Sequence, residues 1–272
     1  MSIDLEALAN ILRDAAKAEV LPRFRRLDPG MVRQKSEAID LVTEADEAAE
    51  RRIMADVAAL VPQATFIGEE SVAADPALLD SLKDAELAVV VDPIDGTANY
   101  AAGMPLFAVM AAVVANGETV AGVIYDPMGD DWVLAERGGG AWQKRPDGHA
   151  ERLKSAAPVP LDQMVGTASV GFLSMDVRPA ILANLAKVRL AASYRCAGHE
   201  YRTLVAGHLH YAMFNKLMPW DHLAGTLIAQ EAGGYVARFD GSAYLPHHTA
   251  GGILAAPDRD SWEQLRRQVF TL

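Results

Sequence analysis

Two aspartates follow the end of an apolar run in the segment VVVDPIDGTANY, residues 89–100. Asp92 and Asp95 stand three residues apart on one short turn, and Gly96 lets the backbone come close to a ligand. Backbone N–H groups at the start of a following helix can bind an anion. The turn could therefore offer two carboxylates to a divalent cation and amides to a phosphate. The alternative, equally open from this turn alone, is a structural turn in which Asp95 caps the next helix.

Two further acidic segments stand at predicted element ends elsewhere in the chain. In GEES, residues 68–71, Glu69 and Glu70 end a short strand, and in PWDHLAGTLIAQEAGG, residues 219–234, Asp221 opens a helix. Taken singly, a solvated glutamate pair and a capping aspartate explain them. Together with the turn, they favour one site assembled from distant segments, because clustered carboxylates are stable only when protonated or when they share cations. Oxygen ligands without cysteine favour Mg²⁺ over zinc.

The hydrophobic pattern predicts the elements that position these side chains. Residues 87–92 predict a buried strand that ends at Asp92, and open sheets bind ligands at the carboxyl ends of their strands. Helical spacing predicts one helix over residues 4–26, and residues 40–60 predict a short strand or turn followed by a second helix.

The two halves of the chain differ in pattern. Residues 105–143 predict an antiparallel meander, so that residues 1–147 form an α+β lobe with an antiparallel sheet that carries most of the candidate metal ligands. Strands and helices alternate after the polar stretch 144–158, so that residues 148–272 form an α/β lobe that completes the site.

Composition excludes several classes of protein. The 272 residues are 51% hydrophobic, enough for a large core, and the formal charge of −11 disfavours binding to nucleic acid or to anionic lipid. The single cysteine excludes an intramolecular disulfide framework and favours the cytoplasm. The N-terminus lacks the features of a secretory signal, and the apolar stretch 105–115 is too short to span a membrane.

Several segments in this order resemble the inositol monophosphatase family of Mg²⁺-dependent, lithium-sensitive phosphatases. Those segments are DLVTEAD (40–46), FIGEES (66–71), VDPIDGTANY (91–100) and WDHLAGTLIAQEAGG (220–234). With the hairpins GVIYDP and ERGGGAW, the similarity extends over nearly the whole chain. The resemblance implies the layered αβαβα fold of the sugar phosphatases, with the site between an α+β lobe and an α/β lobe.

The resemblance implies a metal ligand at each matching position. Glu69, Asp92 and the backbone carbonyl of Ile94 would hold a first Mg²⁺ ion, and Asp92, Asp95 and Asp221 would hold a second. Two such cations would offset the carboxylates and leave a net positive cavity for a phosphate. An acidic protein would in this way bind an anionic substrate.

Catalytic and substrate-binding roles follow from the same resemblance. Thr97 and Glu69 would orient the attacking water, and Asp46 would hold Thr97. The residues implied to contact the phosphate or the substrate are Gly96, Thr97, Asp95, Asp221 and Lys35.

The chain departs from the family pattern where the pattern sets substrate choice. Phe214 stands at the position where inositol-specific members usually carry a glutamate, and Lys216 follows two residues later. His199 and Glu200 stand where small residues are usual. Either Glu200 and His199 replace the lost hydroxyl contacts, or Phe214 lines a pocket for a different or flatter alcohol. A third interpretation gives His199 only a local partner near a helix start.

The expected function is Mg²⁺-dependent hydrolysis of a small phosphate monoester, with myo-inositol monophosphate as the default substrate. Histidinol phosphate and fructose 1,6-bisphosphate are alternatives, and 3′-phosphoadenosine 5′-phosphate is disfavoured because no basic, aromatic-flanked pocket is evident. A non-catalytic sugar-phosphate-binding protein is the rival from another class, and the presence of Thr97, Glu69 and Asp46 argues against it. The resemblance also implies a homodimer and inhibition by lithium.

Overall fold

The structure is a computed structural model that describes residues 3–27, 32–34 and 41–272. The α-helices are α1 (Leu5–Ala15), α2 (Glu44–Leu60), α3 (Glu69–Ala74), α4 (Thr97–Ala101), α5 (Arg178–Asn184), α6 (Ala197–Val205), α7 (Pro219–Glu231) and α8 (Arg259–Gln268). Helix α1 continues through a π-helical turn, Ala16–Val20, and a 3₁₀ turn, Leu21–Arg23. The helix predicted over residues 4–26 is therefore present as a continuous helical segment whose last two turns are not α-helical.

A short ribbon and a large sheet form the first half of the molecule. Strands β1 (Val32–Gln34) and β2 (Leu41–Thr43) pair antiparallel. The large sheet contains, in spatial as well as chain order, β3 (Thr65–Gly68), β4 (Leu87–Asp95), β5 (Ala108–Ala115), β6 (Glu118–Asp126), β7 (Asp131–Glu136), β8 (Gly140–Lys144) and β9 (Ala150–Arg152). The predicted meander corresponds to β5 through β8.

A second sheet of five strands belongs to the second half. In spatial order these are β11 (Leu190–Ala192), β10 (Val165–Ala168), β12 (Tyr211–Phe214), β14 (Ile253–Ala256) and β13 (Tyr235–Arg238). Strand β10 pairs parallel with both neighbours, whereas β14 pairs antiparallel with β12 and β13. Strands and helices alternate along this half, as predicted, but the sheet is mixed.

Five layers stack in the order helix, sheet, helix, sheet, helix. Helices α1 and α2 cover one face of the large sheet, and their contacts form an apolar cluster with β4, β5 and β6. Helices α6 and α7 fill the space between the two sheets. Helices α5 and α8 cover the outer face of the small sheet. This is the αβαβα arrangement that the resemblance implied.

The large sheet differs from the sequence prediction in two respects. Strands β3 and β4 are parallel, because helical segments connect them and let the chain return to the same end of the sheet. Strand β9 pairs with β8, so the sheet continues past the predicted boundary at residue 147. The sequence did not predict β9, because this short edge strand is exposed and lies in a polar stretch of the chain. The division into two lobes itself remains a prediction, since one apolar cluster includes residues of both halves.

Among the described helices, none combines the length and the apolar character that a membrane crossing requires.

Candidate active site

Strand β4 continues to Asp95, three residues past the end predicted at Asp92, so the predicted acidic turn is an irregular stretch of this strand where the pairing with β5 shifts. Asp92 lies opposite Met110 and Asp95 lies opposite Ala108, so that β4 has one residue more than β5 over this interval. Such a bulge bends the strand and redirects its side chains. Asp92 is buried, and its Oδ1 accepts a hydrogen bond of 3.0 Å from the N–H of Ile94. The turn is thus held by its own first carboxylate.

Gly96 follows with φ of +87°, a left-handed conformation that glycine adopts at low cost. A Cβ atom at this position would lie 3.1 Å from Cys196 Cβ and 3.1 Å from the carbonyl oxygen of Leu106. Both the backbone conformation and the close approach therefore require glycine here. Helix α4 begins at the next residue, Thr97, as predicted.

Asp46 links the start of α2 to this turn. Its Oδ2 accepts hydrogen bonds from the N–H and the hydroxyl of Thr43, at 2.8 and 2.6 Å, which completes a capping box on α2. Its Oδ1 lies 3.1 Å from the hydroxyl of Thr97, which also lies 2.8 Å from the carbonyl oxygen of Ile94. The side chains of Asp46 and Thr97 are therefore in contact, and their catalytic role stays a prediction.

Asp95 binds the start of α6 rather than the start of α4. The N–H groups of Ala197 and Gly198 donate to its two carboxylate oxygens at 3.1 and 2.5 Å, and the thiol of Cys196 donates to Oδ2 at 2.9 Å. Gly96 occupies the cap position of α4 and supplies no side chain. The interpretation of Asp95 as the cap of the next helix along the chain is therefore wrong. Asp95 instead joins the two halves of the molecule.

Glu69 and Asp221 reach the same place from two other helices. Glu69 is the first residue of α3, and buried Glu50 fixes this end of the helix by accepting 2.7 Å bonds from the N–H groups of Glu70 and Ser71. Asp221 lies in the first turn of α7. Both side chains line a cavity of about 440 Å³ together with the two aspartates of the turn, Gly96 and Thr97. The acidic residues of distant segments therefore border one cavity, and their role as one metal site stays a prediction.

Burial and mutual repulsion dominate the electrostatics of this cavity. Burial raises the pKa of Asp92 well above its usual range, and the charges of Glu69 and Asp95 raise it further. Burial also raises the pKa of Asp221, and the charges of Glu69 and Asp95 raise it further. Burial also raises the pKa of Asp95, and its hydrogen bonds from Cys196 and Gly198 oppose that shift. Ionised carboxylates at these positions therefore destabilise one another unless they take up protons or bind cations.

The donor set fits a divalent cation. Carboxylate and carbonyl oxygens are the ligands that Mg²⁺ takes in proteins, and a cation would relieve the repulsion that raises these pKa values. Within the described ranges, no three His, Cys, Asp or Glu side chains already stand in the tight arrangement of a formed metal site. The carboxylates share the cavity, with Asp95 turned toward α6.

The predicted substrate-binding residues divide into three groups. Glu200 and Phe214 line the cavity, with the Phe214 ring stacked on Tyr201 at a centroid distance of 4.8 Å. His199 points elsewhere: its Nε2 lies 3.1 Å from the carbonyl oxygen of Phe107. The structure therefore favours the interpretation in which His199 has only a local partner over a contact with a substrate hydroxyl group. Lys35 lies outside the residues that the structure describes.

Glu200 is a structural anchor as well as a lining residue. Its Oε1 accepts a 2.8 Å bond from the N–H of Tyr194, whereas Oε2 and the hydroxyl of Thr167 are buried without a hydrogen bond of normal geometry in the described structure. Burial raises the pKa of Glu200 to about 7, and the bond from Tyr194 and the nearby Thr167 hydroxyl oppose that shift. The carboxyl group is therefore poised to gain or lose its proton near neutral pH.

Sequence reasoning missed three residues of the cavity wall. The thiol of Cys196 donates a hydrogen bond to Oδ2 of Asp95. His222 lies behind Phe214 with Nε2 2.8 Å from the carbonyl oxygen of Lys216 and Nδ1 3.2 Å from the hydroxyl of Tyr201. Arg195 lines the cavity from the loop before α6. His222 could have been suspected because it follows Asp221 in the sequence. Nothing in the sequence around Cys196 or Arg195 indicated their contacts.

Comparison with known proteins agrees with this geometry. The profile of the inositol monophosphatase family matches residues 4–270. Nus factor SuhB of Haemophilus influenzae is 34% identical over 233 residues, which cover 84% of this chain and 82% of that protein. Inositol-1-monophosphatase of Mesorhizobium japonicum is 34% identical over 210 residues, 74% of this chain and 73% of that protein. The crystal structure of the extragenic suppressor protein SuhB of Bartonella henselae matches with a TM-score of 0.83 at 28% identity, over 98% of both chains.

The family profile, which matches residues 4–270, includes every segment that lines the acidic cavity. The family resemblance and the layered fold predicted from the sequence are both confirmed. Membership supports phosphatase activity on small phosphorylated compounds. The chain belongs to the inositol monophosphatase family.

Proposed function

We propose that this chain is a Mg²⁺-dependent phosphomonoesterase, with myo-inositol monophosphate as its default substrate. The observation that carries the proposal is the convergence of Glu69, Asp92, Asp95 and Asp221 on one cavity beside the turn at Gly96. A cavity of about 440 Å³ suits a small molecule. The relative named an inositol-1-monophosphatase supports this substrate class.

The carboxylates supply the cation sites. Glu69, Asp92 and the carbonyl oxygen of Ile94 would hold one Mg²⁺ ion, and Asp92, Asp95 and Asp221 would hold another. When bound, the ions supply Lewis-acid activation of water and neutralise the charge of the phosphoryl group. Since Asp95 is fixed by three donors from the start of α6, the second site depends on both halves of the molecule being in register.

Thr97 and Asp46 orient the water. The Thr97 hydroxyl directs its proton to Asp46 Oδ1 or to the carbonyl oxygen of Ile94, so that its lone pairs face the cavity and accept a hydrogen bond from the nucleophile. Thr43 holds Asp46 in place through two hydrogen bonds. Glu69 accepts a second hydrogen bond from the water and, with Thr97, places it in line with the leaving oxygen.

The turn before α4 binds the phosphate. The N–H groups of Gly96 and Thr97 open that helix, and the absence of a side chain at Gly96 lets the phosphate oxygens approach the backbone. Phe214 and Glu200 border the part of the cavity that receives the alcohol. A homodimer and inhibition by lithium are further expectations from the family.

A phosphate-release panel tests the proposal. The wild-type protein is assayed with and without Mg²⁺ on inositol 1-phosphate, histidinol phosphate, fructose 1,6-bisphosphate and 3′-phosphoadenosine 5′-phosphate. We expect turnover of at least the inositol ester that disappears with EDTA and returns with Mg²⁺. Asp92→Asn is the matched negative control. Absence of metal-dependent turnover on the whole panel would favour the sugar-phosphate-binding alternative.

A further inference from the structure

Arg195 has a backbone conformation that few residues other than glycine adopt. In the described part of the chain four non-glycine residues have positive φ, namely Arg25, Asn116, Asp130 and Arg195, and of these Arg195 lines the cavity. Its φ of 56° lies in the left-handed region. Such strain persists only where the surroundings enforce it, and it often occurs at binding sites.

Three polar contacts enforce the conformation of this loop. Buried Glu200 accepts the N–H of Tyr194 through Oε1 at 2.8 Å. Buried Asn99 donates from Nδ2 to the carbonyl oxygen of Tyr194 at 2.7 Å and lies 3.5 Å from that of Arg195. The loop is therefore held from both sides by side chains that are themselves immobilised, and it presents residue 195 to the cavity.

The guanidinium of Arg195 is available to a ligand. The side chain is exposed, and no carboxylate in residues 3–27, 32–34 and 41–272 forms an ion pair with it. Arg202, on the helix that follows, shows the contrast, because it is partly buried and forms an ion pair with Asp131. A guanidinium carries a permanent charge and a planar set of donors that match phosphate and carboxylate oxygens.

A second cation lines the same cavity. Lys216 places its Nζ 5.7 Å from the centroid of the Phe172 ring, and both residues are on the cavity wall. Phe214 also lines this cavity, and its apolar ring, stacked on Tyr201, offers no hydrogen-bond donor. Lys216 also lies near Asp221 and opposes the rise in the pKa of that carboxyl group, so its charge acts on the acidic side of the cavity. The wall therefore combines apolar surface with the guanidinium of Arg195, which disfavours recognition of the alcohol by its hydroxyl groups alone.

We propose that Arg195 binds a second anionic group on the alcohol portion of the substrate. This inference rests on the proposed phosphatase function. The preferred substrates are then phosphate monoesters that carry an additional phosphate or carboxylate. Arg195 acts as a specificity-determining residue, and Glu200 and Asn99 act as positioning residues for it.

Matched substrate pairs test this assignment. One pair is inositol 1-phosphate and inositol 1,4-bisphosphate, and the other is glycerol 3-phosphate and 3-phosphoglycerate, which separates phosphate from carboxylate recognition. Arg195→Gly removes the side chain and suits the left-handed backbone. We expect it to lower kcat/KM about ten- to hundredfold on the preferred doubly anionic compound and less than about threefold on its partner, as for loss of a charged hydrogen bond.

Arg25→Gly is the control for relief of backbone strain, because Arg25 has φ of 59° and bonds to the carbonyl oxygen of Gly103 outside the cavity wall. It should leave both members of each pair unchanged. Equal losses on both members for Arg195→Gly would place the guanidinium on the reacting phosphate and overturn the inference, as would no loss at all.

Calorimetric binding of the same compounds separates this inference from the proposed function. A wild-type protein that hydrolyses none of them would contradict the phosphatase proposal alone. The Arg195 assignment would still be supported if wild type bound the doubly anionic compound about tenfold or more tightly than Arg195→Gly. Equal affinities of the two proteins for that compound would overturn it.

Discussion

The carboxylate of Asp46 and the hydroxyl of Thr97, 51 positions apart in the chain, lie 3.1 Å from each other at the mouth of the acidic turn. Asp46 is at the same time part of the capping box that starts α2. One side chain therefore determines both where a helix begins and how a hydroxyl group faces the cavity. A residue of the α2 capping box thus also contacts the hydroxyl group that we propose to orient the attacking water.

Thr97→Ala should lower kcat about a hundredfold, because the water loses one of its two orienting partners. Thr97→Ser keeps the hydroxyl and should stay within about tenfold of wild type. Phosphate release at saturating Mg²⁺ measures both. If alanine and serine had equal activities, the hydroxyl would have no part in the reaction.

Gly96→Ala should destabilise the protein by about 2–4 kcal/mol, since left-handed strain adds to contacts of a new Cβ with Cys196 and the Leu106 carbonyl. Gly117→Ala is a matched control. Gly117 has φ of +76° with no atom within 4 Å of a built Cβ, so only about 1–2 kcal/mol of strain is expected. Urea unfolding of both variants measures the difference, and equal losses would mean that the neighbours of Gly96 relax freely.

Asp92→Asn should abolish nearly all activity while the metal-free fold remains as stable as wild type or gains about 1 kcal/mol, because a buried charge among like charges is removed. Thermal unfolding in EDTA and in Mg²⁺ checks this. Mg²⁺ should raise the Tm of wild type by binding the native state and raise that of the variant less. A variant with wild-type turnover would show that Asp92 is not a shared ligand.

Glu200 should make the free energy of unfolding fall as pH rises from about 4.5 toward 7. Its pKa is raised from 4.5 to about 7 in the folded protein, so the folded state binds the proton more tightly than the unfolded state across that window. The effect of this single group reaches about 3 kcal/mol above pH 7.

Glu200→Gln isolates this contribution, because glutamine keeps an acceptor for the N–H of Tyr194 and cannot titrate. Denaturant unfolding at several pH values should show the variant gaining stability over wild type between pH 5 and pH 8. A constant difference across that range would mean that Glu200 is already ionised at pH 5.

The layered fold was implied by the resemblance to a family, whereas the placement of acidic side chains at the ends of elements follows from local patterns in the sequence. The apolar run before Asp92 and the helix opening at Asp221 can be identified without tertiary information, whereas Glu69, predicted to end a strand, begins helix α3. The bond of Asp95 to α6 could not, because 101 to 103 positions separate it from the groups it contacts and no periodicity marks such a pair.

Three other features of the structure were not predicted from the sequence, again for physical reasons. His199 and Glu200 are neighbours on one helix, where consecutive side chains point about 100° apart, so that Glu200 faces the cavity while His199 faces Phe107. Strand β9 has three exposed residues, so burial left no trace in its sequence. The left-handed conformation of Arg195 is imposed by Glu200 and Asn99 and is foreign to the residue's own preference.

The most direct measurement is an anomalous difference map from crystals of this protein soaked in Mn²⁺, which replaces Mg²⁺ at oxygen sites and scatters anomalously. The account predicts at least one strong peak in the cavity, within coordination distance of carboxylate oxygens of Asp92 and of Glu69 or Asp221. A well-ordered cavity with no peak at saturating Mn²⁺, or peaks only elsewhere on the protein, would contradict it.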